Sequence, residues 1–299
     1  MELPKIGICN KENLQLLKRY EMIMRNRGIT EESIKAICKT DIPLFLRFIN
    51  PKSLKEITNI EVEDFLFYCQ SDRKNKPQSL NRKYTSLNSF FKQLIKKEYL
   101  DVKNPLDKIE KAKERVKMRE PLQMKEVEKI FSFLEENNDL RDSAIFALFL
   151  ASGVRLTELW QLNKDSLDYD NLQFNVIGKG QKPRTCIFDN FAKEKILKYL
   201  KSRNDDLEPL FISRENQRLS KRAIQRTVHD VCKKCGISGD VFPHRLRHTA
   251  GHTARERGVK IEDIAIYLGH ENSNLTSKIY ARGDITKLHT LFQNMYEQY

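Results

Sequence analysis

The stretch A-S-G-V-R-L-T-E-L occupies residues 151–159 and places Arg155 directly after the longest apolar run of the chain. Four shorter motifs follow it in chain order: G-K-G-Q-K-P-R at 178–184, P-H-R-L-R-H at 243–248, L-G-H at 268–270 and K-I-Y at 278–280. Together they supply arginines to bind an anionic phosphate, a lysine and histidines to transfer protons, and a tyrosine to attack phosphorus. The set predicts an active site that cleaves a phosphodiester without a metal ion.

The length and charge of the chain favour a two-domain protein with a polyanionic partner. Its 299 residues are more than one ordinary core needs and are about right for two domains. Lysine and arginine exceed aspartate and glutamate by 54 to 41, which gives a formal net charge of +13. Binding to phosphates releases counterions, so this charge favours nucleic acid. On charge alone, a basic surface without a partner is the alternative.

Membrane insertion and secretion are not expected. The apolar run at 144–154 is too short to span a bilayer, and residues 1–7 lack the apolar core of a signal peptide. Six scattered cysteines do not form a secreted disulfide framework, so we expect a reducing, cytoplasmic setting. Cys232 and Cys235 form the only close pair, and a metal or redox site there is a minor alternative.

The patterns divide the chain into a helical domain at 1–104, a charged linker at 105–121 and a second domain at 122–299. The first domain is predicted to hold four short helices, the last with an apolar stripe at Leu80, Tyr84, Leu87, Phe91 and Leu94. Thr30 is a plausible N-cap, and Pro77 lies at the start of the long helix. The linker is charged and bracketed by prolines, and has too little apolar content to pack. An exposed helical extension is the alternative for the linker.

Basic residues on the other faces of the long helix and in the linker are candidate contacts to a phosphate backbone. A solvated basic face is the ordinary alternative. The candidates are Arg82, Lys83, Lys92, Lys96, Lys113, Arg115 and Lys117.

The second domain is predicted to be helical around a small sheet. Helices are expected at 123–136 and 139–152, and the alternation of apolar and polar residues from 167 to 188 predicts two or three antiparallel strands. Further helices are expected at about 190–203, 220–235, 243–257, 261–268, 274–281 and 284–297. The fold class is therefore mainly α, with a small antiparallel β-sheet in the second domain.

One predicted helix carries much of the candidate site. His244 and Arg247 are three residues apart and share a helix face, close to a helix N-terminus whose positive end favours an anion. A rival hypothesis makes His244, His248 and His252 zinc ligands. One straight helix cannot easily surround an ion with three histidines, and Arg247 would repel it, so no metal site is predicted.

The five motifs, in this order and at this spacing, resemble those of the tyrosine recombinase family, which includes phage integrases and Xer-like site-specific recombinases. The resemblance covers the whole chain in architecture and residues 151–281 in motifs. It implies a C-shaped clamp on DNA, made of a SAM-like helical core-binding domain and a catalytic domain. It also implies cleavage and rejoining of DNA through a 3′-phosphotyrosine intermediate, with no cofactor, metal ion or ATP.

By the same resemblance, Arg155 and Arg247 bind the scissile phosphate and Tyr280 is the nucleophile. Lys179 is the general acid that protonates the leaving oxygen. The remaining roles follow the same motifs: His244 assists as general base, His270 hydrogen-bonds the phosphate, and Glu158 orients the neighbours of the first arginine. The interval from His270 to Tyr280 is ten residues, where the family most often has nine. Tyr267 is the nearest other tyrosine and fits a core position better.

The resemblance further implies a double-stranded DNA recombination site as partner, a dimer on each site and a tetramer in the synapse. A terminal helix at 284–299 is expected to dock on a neighbouring subunit, and folding back on its own domain is the alternative. Accessory proteins and association with the nucleoid fit the same function. The task can be integration, excision, or resolution of cointegrates or chromosome dimers. Two other functions stay open: a strand relaxer of the type IB topoisomerase kind, and a non-catalytic DNA-binding regulator.

Overall fold

The computed structural model describes residue 3 and residues 9–113, 120–178, 183–269 and 290–291. The chain forms two compact units, Met1–Lys117 and Met118–Tyr299, and each has its own hydrophobic core. The described residues are mainly helical, and their three-stranded antiparallel sheet lies in the second unit. The predicted fold class is confirmed in these terms.

Unit 1 is built from helices. They are α1 (Lys11–Asn26), α2 (Glu31–Ala36), α3 (Ile42–Ile49), α4 (Asn59–Ser71) and α5 (Pro77–Lys96), with a π-helical turn (Ile37–Asp41) and a short 3₁₀ helix (Leu54–Glu56). The sequence predicted four helices rather than five, because the π-helical turn divides one continuous helical stretch into α2 and α3. The prediction that Thr30 is an N-cap is confirmed: it caps α2, and its hydroxyl accepts from the Ser33 N–H at 3.4 Å. Pro77 begins α5, where its missing N–H is not needed.

The apolar stripe of α5 packs into the core of unit 1. Leu80, Leu87, Phe91 and Leu94 are buried, and Tyr84 is half-buried. Edge-to-face aromatic contacts extend this core, with ring centroids of Phe91 and Phe45 6.2 Å apart. The α5 prediction is therefore confirmed on its apolar side.

The basic face predicted for α5 needs a correction at Lys83. Its side chain is buried, and its Nζ lies 3.9 Å from Asp41 Oδ1. Burial lowers the pKa of Lys83. The stripe has a polar member because Asp41, brought in by the π-helical turn, offers a buried carboxylate. Arg82 also reaches Asp41, at 2.8 Å, but stays about half exposed.

The first half of the predicted linker packs on unit 1. Leu106 is fully buried, and the Tyr84 hydroxyl donates to its carbonyl at 3.3 Å. The Asn81 side chain donates to the Ala112 carbonyl at 2.9 Å and accepts from the Ala112 N–H at 2.8 Å. These contacts hold the chain beside α5 although few of its residues are apolar. Arg115 and Lys117 lie outside the described residues.

Unit 2 is built around one apolar helix. Its helices are α6 (Met124–Glu136), α7 (Leu140–Ser152), α8 (Leu156–Gln161), α9 (Asn190–Ser202), α10 (Lys221–Lys234), α11 (Pro243–Glu256) and α12 (Ile261–Leu268), and a 3₁₀ turn spans Lys164–Ser166. Every residue of α7 from Ser143 to Ser152 is buried, because α6, α9, α10 and α11 pack around it. The apolar run at 144–154 therefore lies mostly in the central helix of unit 2. The C-terminal end of α7 is surrounded by other parts of unit 2, so residues that follow it lie close to neighbouring elements.

The sheet of unit 2 has the strand order β1 (Leu167–Asp168), β2 (Gln173–Ile177) and β3 (Pro183–Ile187), all antiparallel. Phe174 pairs with Cys186, and Val176 pairs with Arg184. These four side chains are buried, so they line the core face of the sheet. The predicted sheet is confirmed. Residues 179–182, between β2 and β3, lie outside the described residues.

The first residues of unit 2 are fastened to α11. Arg245 Nε donates to the Glu120 carbonyl at 2.8 Å, and its Nη1 donates to the Ser238 carbonyl at 3.0 Å. The Thr249 hydroxyl accepts from the Leu122 N–H at 2.9 Å. The helix that carries the H-R-L-R motif therefore also holds the point where the chain enters this unit.

The helix predicted at 274–281 lies outside the described residues. Of the helix predicted at 284–297, the structure describes Thr290 and Leu291, which are helical, and Leu291 packs against the core of unit 2. Within the described part of the chain, no helix has the length and apolarity needed to cross a bilayer.

Candidate active site

Arg155 reaches the site because α7 ends on a left-handed glycine. Gly153 has φ 57° and ψ 23°, and its N–H donates to the Phe149 carbonyl at 2.9 Å. The chain then turns into α8, with Arg155 as the residue before its first turn. Arg155 Nη2 donates to the Gly269 carbonyl at 2.8 Å, and about a third of its side chain is exposed. Its guanidinium is thus held at the end of α12 and remains open to solvent.

Arg247 enters the same region from α11. Its side chain is buried, and its two terminal nitrogens donate to the carbonyls of Gly153 and Leu268. Burial, together with the positive charges of Arg155 and Arg184, lowers the pKa of Arg247 to about 10. The guanidinium is still charged at neutral pH. The negative charge of Glu158 does not fully offset the positive charges of the three arginines around it. An anion in the site would relieve this imbalance.

Glu158 lies at the centre of the cluster and is almost fully buried. Its Oε1 accepts from Arg155 Nη1 at 2.9 Å, and its Oε2 accepts from the Arg155 N–H at 2.7 Å. Burial opposes its ionised form, but the hydrogen bonds and charge of Arg184, together with the hydrogen bonds of Arg155, outweigh burial and lower the pKa of Glu158. Glu158 is therefore an anion that is paired with Arg155.

Arg184 is the member of this cluster that the sequence reasoning missed. It lies on β3 and is buried beside Glu158, with its Nη2 donating to Oε2 at 2.8 Å. A usable signal was present, since Arg184, Cys186 and Phe188 alternate along one strand and therefore share a face. The two apolar members identify that face as the core face. An arginine there needs a buried carboxylate.

His244 lies on α11, one turn before Arg247, and its side chain is exposed. His248 and His252 follow on the same helix, and burial lowers the pKa of His248 with a further contribution from His252. Among the described residues, no group of three or more histidine, cysteine or acidic side chains is arranged to hold a metal ion. Cys232 and Cys235 are buried, and burial raises the pKa of Cys232 to about 12. Such thiols are unreactive as nucleophiles.

Three predicted site residues, Lys179, His270 and Tyr280, lie outside the described residues. The chain can be followed to Gly269, whose carbonyl accepts from Arg155. Tyr267 occupies a core position, because it is buried and its hydroxyl donates to the Ala151 carbonyl at 2.7 Å. The structure thus brings Arg155, Glu158, Arg184 and Arg247 together, directly before the segment that holds His270.

The candidate DNA contacts of unit 1 that the structure describes differ in exposure. Lys92, Lys96 and Lys113 are exposed, whereas Lys83 is buried as described above. Arg82 is about half exposed and forms an ion pair with Asp41.

Comparison with known proteins identifies the class. Residues 120–286 match the phage integrase family, and residues 16–101 match the N-terminal SAM-like domain of phage integrases. The first match alone spans more than half of the chain. The protein therefore belongs to the phage integrase family and is a site-specific tyrosine recombinase.

Individual relatives agree with this class. The chain is 31% identical to "Tyrosine recombinase XerC" of Caldanaerobacter subterraneus subsp. tengcongensis, over 90% of this chain and 77% of the relative. It is 26% identical to the XerC protein of Anoxybacillus flavithermus, over 92% and 94% of the two chains. A solved lambda integrase tetramer bound to a Holliday junction is similar in fold, with a TM-score of 0.71, 20% identity, and coverage of 88% of this chain and 80% of that chain.

Proposed function

We propose that Arg155 and Arg247 bind the scissile phosphate of a DNA recombination site. One observation carries this proposal: two guanidiniums converge on the end of α12, and the described part of the chain uses only part of their hydrogen-bonding capacity. Each has five N–H groups, and each donates two side-chain hydrogen bonds to described residues. The remaining donors suit the non-bridging oxygens of a phosphodiester and the charge of its pentacoordinate transition state.

The other roles rest on the family motifs. The Tyr280 phenol oxygen attacks phosphorus, His244 accepts the phenol proton as general base, and the bond from phosphorus to the 5′ oxygen breaks. Lys179 donates a proton to that oxygen, which leaves a free 5′-hydroxyl and a 3′-phosphotyrosyl enzyme. His270 hydrogen-bonds the phosphate. Attack by a second 5′-hydroxyl reverses these steps and rejoins DNA, so the chemistry needs neither ATP nor a metal ion.

The partner in this proposal is double-stranded DNA, recognised by both units. The net charge of +13 and the exposed Lys92, Lys96 and Lys113 on unit 1 support contacts to the phosphate backbone. Homo-oligomers on paired sites suit strand exchange, because two duplexes must be cut and exchanged together. Integration, excision and the resolution of DNA dimers or cointegrates are tasks of the same chemistry.

Covalent capture tests the nucleophile and finds the site. The purified full-length protein is incubated with fragmented genomic DNA of its source cell, and denatured protein–DNA adducts are recovered and sequenced. We expect adducts at a small number of defined positions, with the protein on the 3′ phosphate. Tyr280→Phe removes only the nucleophilic hydroxyl and should abolish the adduct. Tyr267→Phe is the matched control and should keep it, because Tyr267 is a core residue.

The two rival functions give different results. A DNA-binding regulator would protect defined sites from nuclease digestion without forming any adduct. A type IB strand relaxer would form Tyr280-dependent adducts and relax supercoiled plasmids that lack the mapped site.

A further inference from the structure

We propose that Arg184 is a positioning residue for the phosphate-binding arginines: it holds Glu158 and the end of α12, so that Arg155 is aimed at the phosphate. This inference rests on the proposed function and extends it to Arg184, the last residue of the G-K-G-Q-K-P-R stretch, to which the family resemblance assigns no role. Arg184 lies on β3 and its side chain is buried, whereas Arg155 is partly exposed. It is therefore placed to act through the protein rather than on DNA.

Arg184 fixes both oxygens of Glu158. Its Nη2 donates to Oε2 at 2.8 Å and its Nε donates to Oε1 at 3.3 Å, which is a bidentate arrangement. Arg155 takes the remaining positions, with its side chain on Oε1 and its backbone N–H on Oε2. One carboxylate thus joins the two arginines. Its orientation, and through it the orientation of Arg155, depends on Arg184.

Arg184 also reaches the segment that leads to His270. Its Nη1 donates to the Tyr267 carbonyl at 3.2 Å. Gly269 packs directly on its side chain, since a Cβ added at Gly269 would lie 2.7 Å from Arg184 Cδ and 2.9 Å from Nε. The carbonyl of the same glycine accepts from Arg155. Arg184 therefore contacts both groups that hold the Arg155 side chain, Glu158 and Gly269.

Charge gives Arg184 a second effect on Arg155. With Arg184 present, the single negative charge of Glu158 is shared between two guanidiniums, and the cluster keeps an excess of positive charge. Without Arg184, Glu158 would pair with Arg155 alone and neutralise it more fully. Arg155 would then be less able to offset the charge that develops on the phosphate.

The test compares Arg184→Gln with Arg203→Gln in the full-length protein. Arg203 is the matched control, because its side chain is also buried in unit 2 and paired with an acid, Asp205. Its other hydrogen bonds to described residues go to the carbonyls of Leu207, Pro209 and Leu210, not to the candidate site. The substrate is a suicide duplex carrying the site mapped for the wild type. We expect Arg184→Gln to slow covalent cleavage at saturating DNA by about 10- to 100-fold, with single-site affinity nearly unchanged, since small misplacements of catalytic groups have effects of this order. Arg203→Gln, normalised to its folded fraction, should cleave at nearly the wild-type rate.

Three further measurements separate an effect on positioning from an effect on folding. A methylphosphonate at the scissile position is neutral and needs less guanidinium charge, so it should recover part of the rate lost by Arg184→Gln. In an Arg155→Ala background, Arg184→Gln should reduce the cleavage rate little further, because Arg184 acts through Arg155. Arg184→Lys keeps the charge but cannot make the bidentate pair, and should fall between wild type and Arg184→Gln. If Arg184→Gln does not fold, Arg184→Lys replaces it in the comparison with Arg203→Gln.

Equal cleavage by the Arg184 and Arg203 variants, or full additivity with Arg155→Ala, would overturn the inference. Failure of the wild type to form a Tyr280-dependent adduct is a different result and would refute the proposed function instead.

Discussion

Glu158 combines burial with four hydrogen bonds from two arginines, and this makes its effect on stability depend on pH. Its pKa in the folded protein lies below its ordinary value of 4.5. The stabilisation is therefore fully present above the unfolded-state pKa and is lost as pH falls through the folded-state pKa. Below that value the protonated carboxyl can no longer accept four hydrogen bonds.

We expect Glu158→Gln to lower the free energy of unfolding by about 3 kcal/mol at neutral pH, because it leaves two guanidiniums without their carboxylate. The difference from wild type should shrink as pH falls below 4.5, the ordinary value of the group. Urea unfolding at a series of pH values measures it. Glu126→Gln is the control, since Glu126 has the same position in the first turn of α6 but caps only the Gln123 N–H. A difference that does not change with pH would contradict the ionised state of Glu158.

At the residue scale, the family resemblance assigned roles to most groups of the cluster, but none to Arg184, although this residue ends the G-K-G-Q-K-P-R stretch. Arg155, Glu158 and Arg247, to which the family resemblance assigned roles, lie together in the structure. Arg184 was missed because its partner is 26 positions away in the chain, and local patterns do not contain such pairs. Lys83 was misplaced for the same reason, since its burial depends on Asp41 from a distant turn.

Two glycines allow α12 to pack closely on α7 and α11. A Cβ at Gly153 would lie 2.5 Å from Leu268 Cδ2, and a Cβ at Gly251 would lie 2.9 Å from Leu268 Cδ1. The Leu268 side chain is thus confined between Gly153 and Gly251. It cannot move away from one glycine without approaching the other. Because Arg247 donates to the carbonyls of Gly153 and Leu268, this packing also sets the position of a guanidinium that we propose binds the phosphate.

We expect Gly153→Ala to lower the free energy of unfolding by more than its backbone strain alone predicts. The left-handed conformation costs an alanine about 1–2 kcal/mol, and overpacking against Leu268 adds about 1–3 kcal/mol. Gly258→Ala is the matched control, because Gly258 has φ 80° but nothing within 4 Å of an added Cβ. Chemical unfolding of both variants isolates the packing cost. Equal losses would show that Leu268 relaxes without difficulty.

At the element scale, periodicity predicted the long helices well. Helices α6, α7, α9, α10 and α11 begin and end within about a residue of their predicted bounds, because amphipathic or uniformly apolar runs of this length are distinctive. Helix α8 was not predicted. Its six residues are too few to show a period, and it is stabilised by tertiary contacts such as those of Glu158.

At the scale of the whole molecule, the C-terminal residues are predicted either to dock on a neighbouring subunit or to fold back on their own domain. Leu291 packs against the core of unit 2 in its own chain. Deletion of 284–299 should spare binding to a single site and abolish the joining of two sites, if this segment docks on a neighbouring subunit in the synapse. Sedimentation of protein–DNA complexes distinguishes the two species. Unchanged assembly would reject exchange between subunits, and loss of single-site binding would assign the segment to the core of its own unit.

The attachment of Glu120 and Leu122 to α11 decides where the polypeptide can be divided. A fragment meant to isolate unit 2 has to begin at Glu120 or earlier, so that Arg245 and Thr249 keep their backbone partners. A cut at the first residue of α6 would look natural from the helix boundaries, but it would remove the buried Leu122 and release Arg245 from one of its two carbonyl acceptors. The structural border of unit 2 therefore lies upstream of its first helix. Because the two Arg245 bonds end on main-chain carbonyls, the side chains at Glu120 and Ser238 can vary while the border stays in place.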